Sequence, residues 1–139
     1  MSVLVDTPIW SLALRRRPDR LAKAEARLAA VWTELIRQRQ VMLLGPIRQE
    51  ILSGIRQEKT FKKLRSSLRA FPDEPLAAED YEHAAWCSNL CRGKGVAGSA
   101  VDFLLCAVAL RRHALILTTD LDFTRYAAHL PIRLHRPRP

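Results

Sequence analysis

Four short apolar runs punctuate the chain: Val3-Leu4-Val5, Val41-Met42-Leu43-Leu44, Ala114 to Thr118, and Ile132 to Leu134. They are too short for buried helices, and turn signals bound them, so they predict strands over 2–6, 41–44, 114–118 and 132–134. Between them, apolar residues return at helical spacing. Pro8 can open a helix at its first turn, and Ile9-Trp10-Ser11-Leu12-Ala13-Leu14 continues it to the break at Arg15-Arg16-Arg17-Pro18. Leu21, Ala24, Leu28, Val31, Trp32, Leu35 and Ile36 form one stripe, which predicts a helix from Asp19 to about Arg39. Gly45-Pro46 opens a helix carrying Glu50, with Gly54 at its far end. Glu58 to Arg69 reads as a basic amphipathic helix with Phe61, Leu64 and Leu68 as its apolar stripe.

The second half follows the same alternation. Phe71 to Pro75 is a short extended link or edge strand, and Ala77 to Cys91 is helical by composition. Gly93, Gly95 and Gly98 resist regular structure and make 93–98 a loop. Ser99-Ala100-Val101-Asp102 matches the S-x-x-D capping signature of a helix running to about Arg112. Asp122 to Ala128 is a short helix. Strands alternating with helices predict an α/β fold: a single domain over 1–134 with a mainly parallel central sheet of four to five strands, covered by helices on both faces. Residues 135–139 are a basic C-terminal tail.

Composition narrows the class. At 139 residues and 48% hydrophobic the chain suits one folded core and is too apolar for a disordered segment. No apolar run approaches the roughly 20 residues that span a bilayer. Met1 to Asp6 lacks the basic start of a signal peptide, so a cytoplasmic location with no membrane association is expected. Cys87, Cys91 and Cys106 are then free thiols. His83, Cys87 and Cys91 share i, i+4, i+8 spacing. A zinc site would need a fourth ligand, so a helix face with small apolar thiols is the better reading.

Five acids sit where acids are costly. Asp6 closes the first strand, Asp120 follows the third after Thr118 and Thr119, and Asp122 comes next. Asp102 interrupts the apolar stretch from Val96 to Leu110, and Glu50 lies on a helix with Ile47, Ile51 and Ile55. Asp6 and Asp120 belong at the carboxyl ends of strands, where parallel sheets bind ligands; Glu50 and Asp102 are placed in the first turns of their helices. Buried like charges repel one another unless a cation offsets them. Hard oxygen donors of this kind suit Mg²⁺ or Mn²⁺, as one ion or two. Each acid also has a local explanation. Asp6, Asp102 and Asp122 could cap or complete caps of helices, Asp120 could shape a turn, and the helix dipole favours Glu50. Thr7, Ser99, Thr118 and Thr119 flank the acids and can orient a carboxylate or a water.

Charge sharpens the picture. The formal net charge is +9, and setting the five acids aside leaves nine Asp+Glu against 23 Lys+Arg, or +14 on the rest of the chain. Such a field attracts nucleic acid. Lys59, Lys62, Lys63, Arg65, Arg92 and Lys94 are candidate RNA contacts. The sequence contains no P-loop, no G-x-S-x-G, no G-x-G-x-x-G and no H-E-x-x-H, and its histidines do not fall at strand ends near the acids.

Leu4-Val5-Asp6-Thr7-Pro8-Ile9-Trp10 resembles the opening motif of PIN-domain proteins, although proline is unusual at its position. Arg48-Gln49-Glu50-Ile51-Leu52-Ser53-Gly54 resembles their second motif, Ser99 to Ala107 the third, and Leu117-Thr118-Thr119-Asp120-Leu121-Asp122-Phe123 the fourth. The order and spacing cover essentially the whole chain, and its size looks most like the VapC toxins of bacterial toxin–antitoxin pairs. The resemblance implies a Mg²⁺- or Mn²⁺-dependent endoribonuclease that cuts structured RNA, commonly transfer or ribosomal RNA. It implies inhibition by a VapB-type antitoxin and frequent homodimerisation. Asp6, Glu50, Asp102 and Asp120 match the family's four catalytic, metal-binding acids, and Asp122 matches a fifth present in some members. The long 19–39 helix lies in a region that often meets the antitoxin. Competing readings are a catalytically inactive PIN-fold module that binds RNA or an acidic protein, and a related nuclease acting on DNA or ribosomal precursors.

Overall fold

The computed structural model describes residues 1–136; the end of the expected basic tail, 137–139, lies outside the described residues. Strands β1 (Val3–Val5), β2 (Val41–Met42), β3 (Leu115–Leu117) and β4 (Arg133–Leu134) form one sheet in the order β2-β1-β3-β4. Every pairing is parallel, with Val3 beside Val41 and Leu115, and Leu115 beside Arg133. Successive side chains on a strand point to opposite faces. Val3, Leu4 and Val5 are all at most 1% exposed, so both faces of the sheet are covered.

Among the described residues seven α-helices supply the cover: α1 (Thr7–Arg15), α2 (Lys23–Arg37), α3 (Gly45–Leu52), α4 (Glu58–Leu68), α5 (Ala78–Gly93), α6 (Ala100–Arg112) and α7 (Asp122–Ala127). Residues Phe103 to Ala109 of α6 are all buried, the mark of a helix surrounded by protein on every side. The α2 stripe turns inward. Trp32 meets Trp10 at 5.6 Å between ring centroids, and Trp10 meets Phe71 at 5.0 Å, both edge to face. Each such pair adds about 0.5–1.5 kcal/mol beyond the area it buries.

Several expected boundaries move. The helix expected from Asp19 begins at Lys23, because Pro18–Arg20 form a separate 3₁₀ turn and Leu21 leaves it in an extended conformation. Glu25 then accepts a hydrogen bond from the backbone N–H of Ala22 at 2.9 Å, which fixes the start of α2. The expected 41–44 strand stops at Met42. Leu43 instead makes a single parallel bridge to Asp73, and the Glu74 N–H donates to the Leu43 carbonyl at 2.8 Å. The 71–75 link is thus a one-bridge edge, and the sheet has four strands among the described residues.

The topology places the chemistry. From β1 the chain crosses to β2 on one side, then returns to β3 on the other side of β1 and moves outward to β4. The connections therefore diverge between β1 and β3, and a crevice opens at the carboxyl ends of these two strands. Val5 pairs with Leu117, so Asp6 and Thr118, each the next residue, emerge there side by side.

Candidate metal centre

Asp6 is the deepest of the five candidate acids, 5% exposed. Its backbone N–H donates to the Leu117 carbonyl at 2.9 Å, the last rung between β1 and β3. Oδ1 accepts from the Thr7 N–H at 2.8 Å, so Asp6 does cap α1. Oδ2 accepts from the Thr118 hydroxyl at 2.7 Å. The same Thr118 oxygen accepts from the Asp120 N–H at 3.0 Å. One hydroxyl therefore locks two acids from distant segments into a common frame. Burial pushes the Asp6 carboxyl above its ordinary range; the Thr118 and Thr7 hydrogen bonds oppose this, and the charges of Asp102 and Asp120 add to it.

Asp102 arrives from the opposite direction, on the first turn of α6. Ser99 caps that helix, its Oγ accepting from the Asp102 N–H at 3.0 Å. The acid does not complete a reciprocal box. Its Oδ2 accepts instead from the phenol of Tyr126 at 2.7 Å. Burial raises the Asp102 carboxyl above its usual range, the Tyr126 and Ser99 hydrogen bonds oppose this, and Asp120 and Asp122 raise it further. Asp120 Oδ1 accepts from the Asp122 N–H at 2.9 Å, a turn that starts α7 and keeps the two acids on one side. Carboxylate oxygens of Asp102, Asp120 and Asp122 all lie within 4.8 Å of one another.

The set fits a hard divalent cation. Every converging donor is a carboxylate oxygen. Among the described residues no Lys or Arg approaches Asp6, Glu50, Asp102 or Asp120 within 4.0 Å, and Asp122 meets only Arg125, at 3.9 Å. The repulsion is thus left uncompensated in a chain with abundant positive charge.

The acids differ in their distance from this focus. Asp6 and Glu50 stand outside the trio. Glu50 is in the second turn of α3 rather than the first, and it is exposed. It reaches the crevice through Thr7, whose hydroxyl donates to Glu50 Oε2 at 2.7 Å. Thr7 therefore touches Asp6 with its backbone and Glu50 with its side chain. Thr119 faces a hollow of about 460 Å³ that also contains Pro8, Leu12, Arg15 and Leu28. Lys59 and Lys63 line a second hollow, about 410 Å³, with Leu14, Thr60 and Arg15; Arg15 thus borders both. Lys62 pairs with Glu58 at 3.0 Å, and Arg65 lies over the Phe61 ring at 5.8 Å. Arg92 and Lys94 are exposed at the end of α5. The three cysteines are free and buried, and burial holds their thiols above the ordinary range.

Sequence reasoning missed Tyr126. A tyrosine on a six-residue helix carries no motif, and only the fold brings it to Asp102. It also missed Gly98 as its complement: a Cβ there would strike the phenol oxygen and come within 2.7 Å of Cζ.

Solved structures resemble the chain over nearly its full length. FitAcB from Neisseria gonorrhoeae matches with a TM-score of 0.75 and 20% identity, covering 97% of each chain. VapBC2 from Rickettsia felis, bound to a DNA fragment from its promoter, matches with a TM-score of 0.76 and 17% identity over 97% of this chain and 98% of that one. FitAB bound to the IR36 DNA fragment matches with a TM-score of 0.75 and 21% identity over 97% and 94%. At these identities the likeness is one of fold. No curated protein matches the chain. The PIN domain family matches residues 3–129, from the first strand past α7, and with the acids placed as above the chain belongs to that family.

Proposed function

We propose that the chain is a Mg²⁺- or Mn²⁺-dependent endoribonuclease, the toxin member of a toxin–antitoxin pair. The observation that carries this reading is the focus of Asp102, Asp120 and Asp122 beside Asp6, where among the described residues the one basic side chain within 4.0 Å is Arg125, at 3.9 Å from Asp122. Asp102, Asp120 and Asp122 would hold the cation, with Asp6 tied to Asp120 through the Thr118 hydroxyl. When bound, a divalent cation supplies an acidified, oriented water and offsets charge on the attacked phosphate and leaving oxygen. The chain's own groups arrange the rest. Thr118 holds Asp6 and Asp120 in register, and Ser99 fixes the start of α6 so that Asp102 points into the crevice. Thr7 holds Glu50 at the mouth by one oxygen, leaving Oε1 free to orient a water.

RNA as substrate is supported by the charge of +9 and by a basic route to the acids. Arg15 joins the hollow beside Thr119 to the one lined by Lys59 and Lys63, so an RNA backbone can run from the crevice along α1 to α4. Transfer or ribosomal RNA is the expected class. The hollow between α1 and α2 has an apolar floor of Pro8, Leu12 and Leu28, and a VapB-type antitoxin segment seated there would cover the approach to Asp120. A homodimer is proposed through the α5–α6 face, where Tyr81 and Trp86 are exposed beside an apolar hollow of about 400 Å³.

The test is cleavage by the purified chain. Labelled RNA should be cut with Mg²⁺ or Mn²⁺, spared with EDTA, and spared by the Asp102→Asn and Asp120→Asn proteins, with a loss of at least about 100-fold expected for removal of a metal ligand. Metal-independent binding without cleavage would favour an inactive RNA-binding module.

A further inference from the structure

We propose that Tyr126 is a positioning residue of the centre: its phenol dedicates Oδ2 of Asp102 to a protein hydrogen bond and presents Oδ1 to the cation. The inference rests on the metal-centre reading above. Three observations carry it. The hydrogen bond is short and direct, 2.7 Å from the phenol oxygen to Asp102 Oδ2. The ring has no freedom to leave, because Tyr126 is fully buried, 4.9 Å from the Phe103 ring and 5.2 Å edge-on from Phe123. The third wall is Gly98, in the loop before α6. The phenol occupies the volume that any side chain at 98 would need.

The arrangement links two segments that each carry part of the centre. Phe103 follows Asp102 on α6, and Phe123 follows Asp122 on α7. Tyr126 packs on both rings while bonding Asp102, so the spacing between Asp102 and Asp122 is set by one aromatic cluster. A carboxylate free to rotate could offer a cation either oxygen or both. With Oδ2 committed to a donor, rotation about the last side-chain bond breaks a partly buried hydrogen bond. Partners of metal-binding carboxylates act in this way, and their removal costs about 10–100-fold in metal affinity. A tyrosine that merely fills space would be equally well served by phenylalanine.

The test is direct calorimetric titration of the full chain with Mn²⁺, needing no RNA. Tyr126→Phe keeps the ring and its packing, so it should fold, with the Tm in EDTA confirming this. Mn²⁺ affinity should fall by about 10-fold or more. A double-mutant cycle separates positioning from general loosening. In an Asp102→Asn background, Tyr126→Phe should add no further loss, whereas an indirect structural effect would cost the same in both backgrounds. Gly98→Ala, which displaces the phenol without deleting it, should weaken Mn²⁺ in the same direction. Wild-type affinity retained by a folded Tyr126→Phe protein, or equal losses in both backgrounds, overturns the assignment to Tyr126 alone. Absence of Mn²⁺ binding by the wild-type chain overturns the metal-centre reading, and this inference with it.

Discussion

At the scale of single residues, the centre is an arrangement that folding tolerates rather than prefers. Asp102 is half-buried beside Asp120 and Asp122, and its carboxyl is raised by that burial first and by their charges after the opposing hydrogen bonds. A raised folded-state value means that, above the ordinary carboxylate range, the folded chain holds a proton that the unfolded chain has released. Stability without metal therefore declines as pH climbs through that window, and the full penalty is present at neutral pH. Asp102→Asn keeps an oxygen to accept from Tyr126 and removes the charge. In EDTA at pH 7.5 it should melt at a higher temperature than wild type, and the gain should vanish near pH 3.5. Adding Mg²⁺ should raise the wild-type Tm and raise the variant's by less. Thermal scans at the two pH values check both signs; a variant less stable at pH 7.5 would contradict the account. Much of this site is legible in the sequence. An acid directly after a buried strand, as Asp6 is, or separated from its end by two threonines, as Asp120 is, has one place to go in a parallel sheet. Tyr126 and Gly98 are not legible, because their role is a contact across 28 residues that neither periodicity nor turn chemistry encodes.

At the scale of elements, the helix bearing Asp102 is fastened at its far end by a further acid. Asp80 is fully buried at the start of α5. It accepts from the Ala77 N–H at 2.8 Å, from Arg111 Nε at 2.8 Å and from the guanidinium of Arg112, at 2.9 Å for one nitrogen. Arg112 also meets Glu74 at 3.3 Å and donates to the Pro75 carbonyl at 2.9 Å. The end of α6 is thereby tied to the start of α5 and to the link before it, while its other end carries Asp102. The Arg112 hydrogen bond, outweighing burial, holds the Asp80 carboxyl well below the usual range. Its contribution is complete above the ordinary carboxylate range and is lost as pH falls below about 4. Asp80→Asn leaves two guanidinium groups short of a charge and should cost about 3 kcal/mol in urea unfolding, constant from pH 6 to 9 and shrinking on acidification. The helices themselves are legible, since stripes such as Phe61, Leu64 and Leu68 define them. Their starts are less so. Asp19 looks like a helix start, yet Pro18 makes a 3₁₀ turn and the Glu25–Ala22 hydrogen bond sets the true one. Asp80 is invisible as a buried anchor because its cations lie 31 and 32 residues away.

At the scale of the whole molecule, an acidic crevice sits in a chain of net charge +9. Five of the 14 acids gather about one crevice, which leaves nine against 23 Lys and Arg on the rest of the chain. A polyanion is drawn to such a surface, and the uncompensated crevice repels it until a cation is present. Attraction and chemistry are thus separable by conditions. In EDTA the chain should bind RNA without cutting it, and the affinity should fall steeply with salt, since each neutralised phosphate releases counterions. Arg15, Lys59 and Lys63 form no ion pair within 4.0 Å among the described residues, so their charge is available along the α1–α4 route. Lys62, paired with Glu58, is the internal control. Lys59→Ala with Lys63→Ala should lower the slope of log affinity against log salt by about 1.4 for single-stranded RNA, at about 0.7 per contact. Lys62→Ala should lower it less. Fluorescence anisotropy with a labelled oligonucleotide over a range of KCl concentrations measures both. An unchanged slope in the double variant would move the RNA path off α4 and leave the Lys59–Lys63 hollow to a protein partner.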